Sequence, residues 1–223
     1  MTASQGHPEQ LTTPYSEEIV IVVPIDALSA IGLHQGFNPD PGPILAEVFR
    51  PGLARGMPRS RAERDPHFKQ LIGYVILRHG EKIFHYRRSR GGGETRLAGQ
   101  RSLGLGGHLN LEDVATSIDP ASLDRSIRRE LAEEVNLIET PTLTPRGILS
   151  DDTTEVGRVH LGVVVLVHVP DTAVLLRDPT LADGRFDPIS GLAGLEREFE
   201  GWSRLCLGWL QGESEYVIRQ EPS

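Results

Sequence analysis

One continuous apolar segment places the strongest constraint on the fold of this chain. Residues 158–169 read RVHLGVVVLVHV, and every position from Leu161 to Val167 is apolar or glycine. A strand without alternating polar positions is typical of one that is buried on both faces of its sheet. The apolar run is far too short to cross a membrane. We therefore expect an interior strand of a soluble domain.

Other segments predict strands and helices around this interior strand. β-Branched or alternating runs predict strands at 18–24 and 142–150, and two strands within 70–89 that turn at His79-Gly80. Apolar periodicity predicts helices at 43–49, 119–137 and 203–211. This order of elements favours an α/β or α+β architecture with a mixed sheet.

The helix at 119–137 has the clearest pattern. Asp119 can cap its first turn, and Pro120 fits the first helical position. Its apolar residues recur every four positions and predict one buried face, made of Leu123, Ile127, Leu131 and Val135.

Composition excludes several functional classes. The chain of 223 residues suits one domain, expected at 18–223 behind a flexible tail at 1–17 and with an irregular insertion around 25–67. The net charge of −8 argues against bulk binding of nucleic acid or an anionic membrane. Cys206 is the lone cysteine, which excludes an internal disulfide. The polar start carries no secretory signal, so a cytoplasmic protein is expected.

Three glutamates crowd one turn of the helix at 119–137. At 100° per residue, Glu130, Glu133 and Glu134 share roughly 100° of arc beside the apolar face. Carboxylates at a partly dry edge are unfavourable unless a cation neutralises them, and oxygen ligands suit Mg²⁺ or Mn²⁺. Arg129 can pair with Glu133 one turn later. The alternative is a solvated, charge-rich helix face without a ligand.

These residues resemble the Nudix box, G-x5-E-x7-R-E-U-x-E-E-x-G-U, in which U is a bulky aliphatic residue. The helical half of the box is matched by Arg129, Glu130, Leu131, Glu133, Glu134 and Leu137. The loop half, within LGLGGHLNLED (103–113), fits in two registers: Gly106 with Glu112 or, preferred, Gly107 with Asp113. FKQLIGYVIL, FHYRR, GETRL and VGRVHLGVVV are further similar to a Nudix group labelled predicted phosphoesterases, so that the resemblance spans roughly 18–211.

The chain departs from the box at two places. Residues 114–128 separate Asp113 from Arg129, where the box has seven positions, and predict an expanded loop. This expansion leaves the role of Asp113 or Glu112 open. Asn136 replaces the glycine that ends the helix, and asparagine is the next-best residue for a left-handed conformation.

The resemblance implies a fold, an activity and a set of ligands. The fold is the Nudix α/β/α sandwich with a mixed central β-sheet, here with an N-terminal extension, and a homodimer is a reasonable expectation. The activity is hydrolysis of a pyrophosphate bond in a small nucleoside diphosphate derivative, by water activated by Mg²⁺ or Mn²⁺. The implied catalytic residues are Arg129 and the metal ligands Glu130, Glu133, Glu134 and Asp113 or Glu112.

Two other functions share this fold. One is a catalytically weak ligand sensor or regulatory module, which loss of box glutamates would favour; all three helix glutamates are present here. The other is an isomerase of the isoprenoid type, which would need a cysteine in its active site. Cys206 falls in the last predicted helix and is expected to be buried.

Substrate contacts are expected from glycines and cations near the box. Gly106, Gly107 and His108 adjoin the glutamates in the sequence. Arginines around Gly91-Gly92-Gly93 could bind phosphate, with Arg96 preferred: Arg87, Arg88, Arg90, Arg96 and Arg101.

The remaining candidates come from the second half of the chain. Acids that could serve as a general base are Asp151, Asp152, Glu155, Glu198 and Glu200. His160 is either a hydrogen-bonded core histidine or a residue that faces the site. Trp202 and Trp209 are expected to pack the last helix, with base stacking by Trp202 as the alternative.

Overall fold

A mixed sheet is the central element of the fold in this computed structural model, which describes residues 17–89 and 98–220, with side chains up to residue 212. The strands of this part of the chain, in order, are β1 (Ile19–Pro24), β2 (Gly36–Asn38), β3 (Arg55–Pro58), β4 (Phe68–His79), β5 (Lys82–Arg88), β6 (Arg101–Ser102), β7 (Gly104–Leu105), β8 (Val135–Asn136), β9 (Pro145–Ser150), β10 (His160–His168), β11 (Leu175–Leu176) and β12 (Leu181–Pro188). The α-helices are α1 (Ile25–Ala30), α2 (Gly42–Val48), α3 (Arg59–Ala62), α4 (Pro120–Glu134), α5 (Glu155–Arg158), α6 (Ile189–Leu192) and α7 (Gly201–Gln220).

The sheet is organised around β4. The strand order is β12-β5-β4-β10-β9-β2, and β1 and β7 also pair with β4. β10 runs parallel to β4, whereas β1 and β5 are antiparallel to it, which confirms the predicted mixed sheet. Every residue of β10 from His160 to Val167 is buried, as the absence of polar alternation predicted.

Helices cover both faces of the sheet. Side chains alternate along a strand, so neighbouring residues of β4 face opposite layers. Gly73 faces α4, where an added Cβ would lie 2.6 Å from a side-chain carbon of Ile127. Tyr74 faces α7, and its hydroxyl lies 2.8 Å from that of Ser203. The predicted α/β/α sandwich is thereby confirmed.

The start of α4 follows the sequence pattern. Asp119 is the N-cap, and its carboxylate accepts a 2.8 Å hydrogen bond from the backbone N–H of Ser122, with Pro120 at the first helical position. This hydrogen bond lowers the pKa of the Asp119 carboxyl. The predicted apolar face, Leu123, Ile127, Leu131 and Val135, is buried against the sheet.

The end of α4 differs from the prediction. The helix ends at Glu134, and Val135 and Asn136 continue as an extended strand that pairs with Leu176 and Leu175. Asn136 is not among the described residues with positive φ, so the predicted left-handed cap is wrong. Strand pairing beyond the helix, which depends on residues about forty positions away, determines how α4 ends.

Replacement of Asp119 by alanine is expected to lower the melting temperature by about 2–4 °C, the size that loss of an N-cap produces in a chain of this length. The cause is the loss of the acceptor for the Ser122 amide. Differential scanning calorimetry would measure the change. Asp124→Ala, which removes only an exposed ion pair with Arg128 in the same helix, is the control, and an equal loss there would contradict the capping role.

Two regions that were predicted to be irregular are partly ordered. The insertion at 25–67 contains α1, α2 and α3 together with two strands: β2 extends the sheet beside β9, and β3 pairs with β1. The expanded loop predicted at 114–128 is restricted to 114–119, because α4 already begins at Pro120. Among the described residues, no helix is long and apolar enough to cross a membrane.

Candidate active site

A cleft of about 780 Å³ lies beside β4, on the side where the loop after β7 meets α4. The predicted box region lines it through Gly106, Gly107, His108 and Glu130. Its other walls come from α5 with its flanking residues and from the start of α7. The cleft therefore brings both halves of the box to one surface.

The two glycines after β7 allow the α4 glutamates to approach the sheet. Gly106 has φ +122°, and an added Cβ would lie 2.4 Å from the carbonyl oxygen of Gly73. Its N–H donates to Glu134 Oε2 at 2.6 Å. At Gly107, an added Cβ would lie 2.7 Å from the carboxylate of Glu130. A side chain at Gly107 would occupy the space of the Glu130 carboxylate, whereas one at Gly106 would collide with the backbone of β4.

Asp113 fixes the arginine of the box. Arg129 donates to both carboxylate oxygens of Asp113, at 3.1 and 2.9 Å, and the N–H of Asn110 also donates to Asp113 at 2.9 Å. Glu112 is 70% exposed and lies 3.7 Å from Arg129. These contacts favour the register of Gly107 with Asp113. Because both oxygens of Asp113 are engaged, its geometry suits a positioning residue better than the metal ligand that was predicted.

The three box glutamates differ in their surroundings. The side chain of Glu130 is 17% exposed and accepts a 2.7 Å hydrogen bond from Arg129. Glu133 is 61% exposed and lies 3.7 Å from Arg129, as the predicted pair requires. Glu134 is buried, at 8% exposure. The assignment of all three as metal ligands stays a prediction.

Burial disfavours the charged form of two carboxyl groups at this site. Burial raises the pKa of Glu134 to about 8, against the lowering effects of Arg88 and of the hydrogen bond from Gly106. Burial also raises the pKa of Glu130, although Arg129 lowers it. Carboxylates in such surroundings gain from a nearby cation, and their oxygen atoms fit a hard divalent ion.

The stability of the metal-free protein is expected to fall as pH rises from about 5 to 8, in part because of Glu134. Its folded-state pKa of about 8 exceeds the value of about 4.3 expected when unfolded. Between these values the folded state holds a proton that the unfolded state has lost, so raising the pH favours unfolding. Urea unfolding with EDTA at a series of pH values would measure the slope of the unfolding free energy against pH. Glu134→Gln should make this slope less negative. Equal slopes in both proteins would contradict the shift.

The arginines that flank the glycine triplet occupy different places. Arg88 lines the cleft, and its Nε is buried without a hydrogen-bond partner among the described residues. Arg87, on the opposite side of β5, bonds instead to Glu198 and to the carbonyl oxygen of Gly99, so its predicted contact with substrate gains no support. Arg101 is buried against His85 and Glu198. Arg90, Arg96 and the triplet itself lie outside the described residues.

Arg59 lines the cleft and was not predicted from the sequence. It belongs to α3, in the region predicted as an irregular insertion, and it pairs with Glu18 at 2.7 Å. A run of arginines in RSRAER was the available signal, but it did not show which arginine would face the site.

The candidate general bases separate into two groups. Asp151 and Glu155 line the cleft, and Glu155 is exposed. Glu200 also lines it, but its carboxylate accepts hydrogen bonds from Tyr74, Trp202 and Ser203. Asp152 and Glu198 are not part of the cleft wall and pair with Lys69 and Arg87. Asp151 accepts hydrogen bonds from Thr153 through Oδ1 alone, so the geometry favours Glu155 and the Oδ2 atom of Asp151.

A buried lysine holds one wall of the cleft. The ammonium of Lys69 is fully buried and donates to Asp152 at 2.7 Å and to the carbonyl oxygens of Gly157 and Arg158 at 3.0 and 3.2 Å. These bonds attach the α5 segment to β4.

Two histidines meet at the cleft. The Nε2 atoms of His108 and His160 lie 3.2 Å apart, and His160 Nδ1 lies 2.6 Å from the carbonyl oxygen of Val156. Burial, followed by the charge of Arg59, lowers the pKa of His108 well below its usual value. Within the described chain, Glu63, His108 and His160 form the group of potential metal ligands whose donor atoms all lie within 4.8 Å of one another.

The residues expected to pack the last helix do so. Trp209 stacks on Phe37 with ring centroids 4.7 Å apart. Trp202 contacts Tyr74 edge to face and also lines the cleft, so both of its predicted roles remain open. Cys206 is fully buried, and burial raises the pKa of its thiol. It therefore offers no exposed thiol to an isomerase.

Comparison with solved structures identifies the class of protein. No model of a known protein family matches the chain. The crystal structure of Tm1382, described as a candidate Nudix hydrolase, is 27% identical with a TM-score of 0.71, and the match covers 86% of this chain and 98% of that one. DR0079 from Deinococcus radiodurans shares the fold at 17% identity, with a TM-score of 0.51 over 73% of this chain and 94% of that one. The fold is that of a Nudix hydrolase.

A curated relative places the chain within that class. Protein YmaB of Bacillus subtilis (strain 168) is 34% identical over 173 residues, which cover 75% of this chain and 82% of that protein. The chain belongs to the Nudix superfamily and, within it, to the family of Protein YmaB.

Proposed function

We propose that this Nudix hydrolase cleaves the pyrophosphate bond of a small nucleoside diphosphate derivative, with Mg²⁺ or Mn²⁺ held by Glu130, Glu133 and Glu134. The observation that carries the proposal is the approach of two carboxylates, the partly buried Glu130 and the buried Glu134, to the glycine pair at the cleft, with the pKa of each raised by burial. The oxygen donors suit a hard cation. Such an ion, when bound, supplies charge neutralisation at phosphate oxygens and acidifies water.

The residues of the chain have distinct roles in this proposal. Arg129, anchored by Asp113, orients the carboxylate of Glu130 through its 2.7 Å hydrogen bond. Arg88 and Arg59 provide positive charge in the cleft for the phosphates of the substrate. Asp151 or Glu155, in the part of the wall formed by α5 and its flanking residues, can accept the proton of the attacking water at a carboxylate oxygen.

Hydrolysis should depend on a divalent cation and on the box glutamates. The test is incubation with ADP-ribose, dinucleotide polyphosphates, nucleoside triphosphates, nucleotide sugars and coenzyme derivatives, with products separated by ion-exchange chromatography. We expect turnover of one class in Mg²⁺ or Mn²⁺, loss to background in EDTA, and a large decrease in Glu133→Gln. Binding without turnover across all classes would instead favour the sensor function.

A further inference from the structure

The fold brings two histidines from distant parts of the chain to the same face of the sheet. His108 forms a bridge with Ile72 of β4, and His160 of β10 is the register partner of Gln70. Residues two apart on one strand face the same side, and register partners share that side. His108 and His160 therefore flank β4 on one face, where their Nε2 atoms lie 3.2 Å apart.

The tautomer of His160 is set by the backbone. Its Nδ1 lies 2.6 Å from the carbonyl oxygen of Val156, which can only accept, so Nδ1 carries the hydrogen. The Nε2 atom of the neutral ring then has a lone pair directed towards His108. A hydrogen bond from the other ring nitrogen to a backbone carbonyl is the arrangement that orients metal-binding histidines.

Glu63 supplies a carboxylate beside the two imidazoles. Its Oε1 lies 3.9 Å from His160 Nε2. One donor atom from each of Glu63, His108 and His160 lies within 4.8 Å of the other two. Arg59 also lies 3.6 Å from Glu63, but Arg59 keeps its shorter contact with Glu18 if Glu63 turns towards the histidines.

We propose that Glu63, His108 and His160 bind one divalent transition-metal ion of the Zn²⁺ type, at a site separate from the glutamates of α4. Two imidazole nitrogens at about 2.0–2.1 Å from a tetrahedral ion lie about 3.3 Å from each other. The observed 3.2 Å matches this spacing, and the carboxylate of Glu63, 3.9 Å from His160 and within 4.8 Å of His108, would complete the set by an approach of roughly 0.5–1.5 Å. Imidazole ligands select such ions over Mg²⁺.

The site would leave one coordination position for an exchangeable ligand. Three protein ligands with an open fourth position are typical of zinc sites that bind water or substrate. His108 and His160 both line the cleft, so the open position faces the same space as Glu130. An anionic oxygen of a bound molecule could occupy it, which makes the cleft a place where two chemically different metal ions act on one ligand.

Cobalt binding tests this proposal without any assay of hydrolysis. The metal-free full-length chain is titrated with Co²⁺, whose visible absorption is strong in four-coordinate sites with nitrogen ligands. We expect one strongly absorbing Co²⁺ per chain, displaced by Zn²⁺ but not by excess Mg²⁺, which competes only for the oxygen ligands of the α4 glutamates. His160→Ala should abolish the absorption. Loss of a residue that only hydrogen-bonds to a metal ligand lowers metal affinity about 10- to 100-fold. Glu63→Gln should weaken Zn²⁺ binding by more than this.

Two controls locate the ion. His168→Ala, at an exposed position at the end of the same strand β10, should give the same Co²⁺ absorption as the wild type. Glu130→Gln should keep this absorption too, even where it loses a second Co²⁺ from the oxygen ligands of α4. If circular dichroism shows that His160→Ala does not fold, Glu63→Gln is the decisive variant. Glu63 is the C-cap of the short helix α3. Three results would overturn the proposal in favour of a direct hydrogen bond between the histidines. They are absorption that persists in both variants, no absorption in the wild type, and loss of the absorption in Glu130→Gln.

Discussion

Glu130→Gln is expected to lower kcat/KM for hydrolysis by about 10²- to 10⁴-fold, the range found when a carboxylate essential to proton transfer or charge stabilisation is removed. The substitution keeps the size of the side chain but removes its negative charge. Arg129 retains its two hydrogen bonds to Asp113, so the loop half of the box should stay in place. Steady-state kinetics at saturating Mg²⁺ would measure the effect, on the substrate class that the incubation with nucleotide compounds identifies.

The control for this prediction is Glu139→Gln, an exposed glutamate shortly after α4. It has the same chemistry and lies outside the cleft, so its kinetics should match those of the wild type. A fall of less than tenfold in Glu130→Gln, with a matching melting temperature, would remove Glu130 from the proposed metal site.

Gly106→Ala is expected to destabilise the folded state by roughly 3 kcal/mol or more. Its φ of +122° is unfavourable for a residue with a side chain, and the new Cβ would lie 2.4 Å from the carbonyl oxygen of Gly73. That oxygen belongs to the central strand of the sheet and cannot move without disturbing the pairing of β4 with its neighbours. Urea unfolding with EDTA present would measure the loss.

Gly107→Ala is the matched variant, and it should behave differently. Here the added Cβ meets the carboxylate of Glu130, which is the end of a flexible side chain and can move aside. Stability should therefore change little, whereas hydrolysis should fall because Glu130 leaves its position. Equal losses of stability in the two variants would show that Gly106 has no special backbone requirement.

Local chemistry explains which features of the fold could be predicted. The cap at Asp119, the buried face of α4 and the burial of β10 depend on residues close in sequence, and all three predictions are confirmed. The end of α4 was predicted wrongly because Asn136 pairs with Leu175, a contact that no local pattern encodes. The same holds for β2 and β3, which become strands by joining distant edges of the sheet.

The candidate site was predictable only in part for a similar reason. The box motif indicated Gly106, Gly107 and Glu130, which do meet in the cleft. It did not distinguish Arg87 from Arg88, since the side of β5 that faces the cleft depends on the register of the strand. Glu63 is the C-cap of α3, and its approach to His160 depends on the packing of the insertion against the sheet.

The buried ammonium of Lys69 has a consequence for how ligands are selected. Because it binds Asp152 and two carbonyl oxygens of the α5 segment, that wall cannot swing outward without leaving an unsolvated charge behind. A ligand that enters the cleft must therefore fit the fixed shape of the α5 wall. Discrimination among nucleotide derivatives at this end of the cleft would then rest on steric exclusion by a fixed surface, not on closure of a lid.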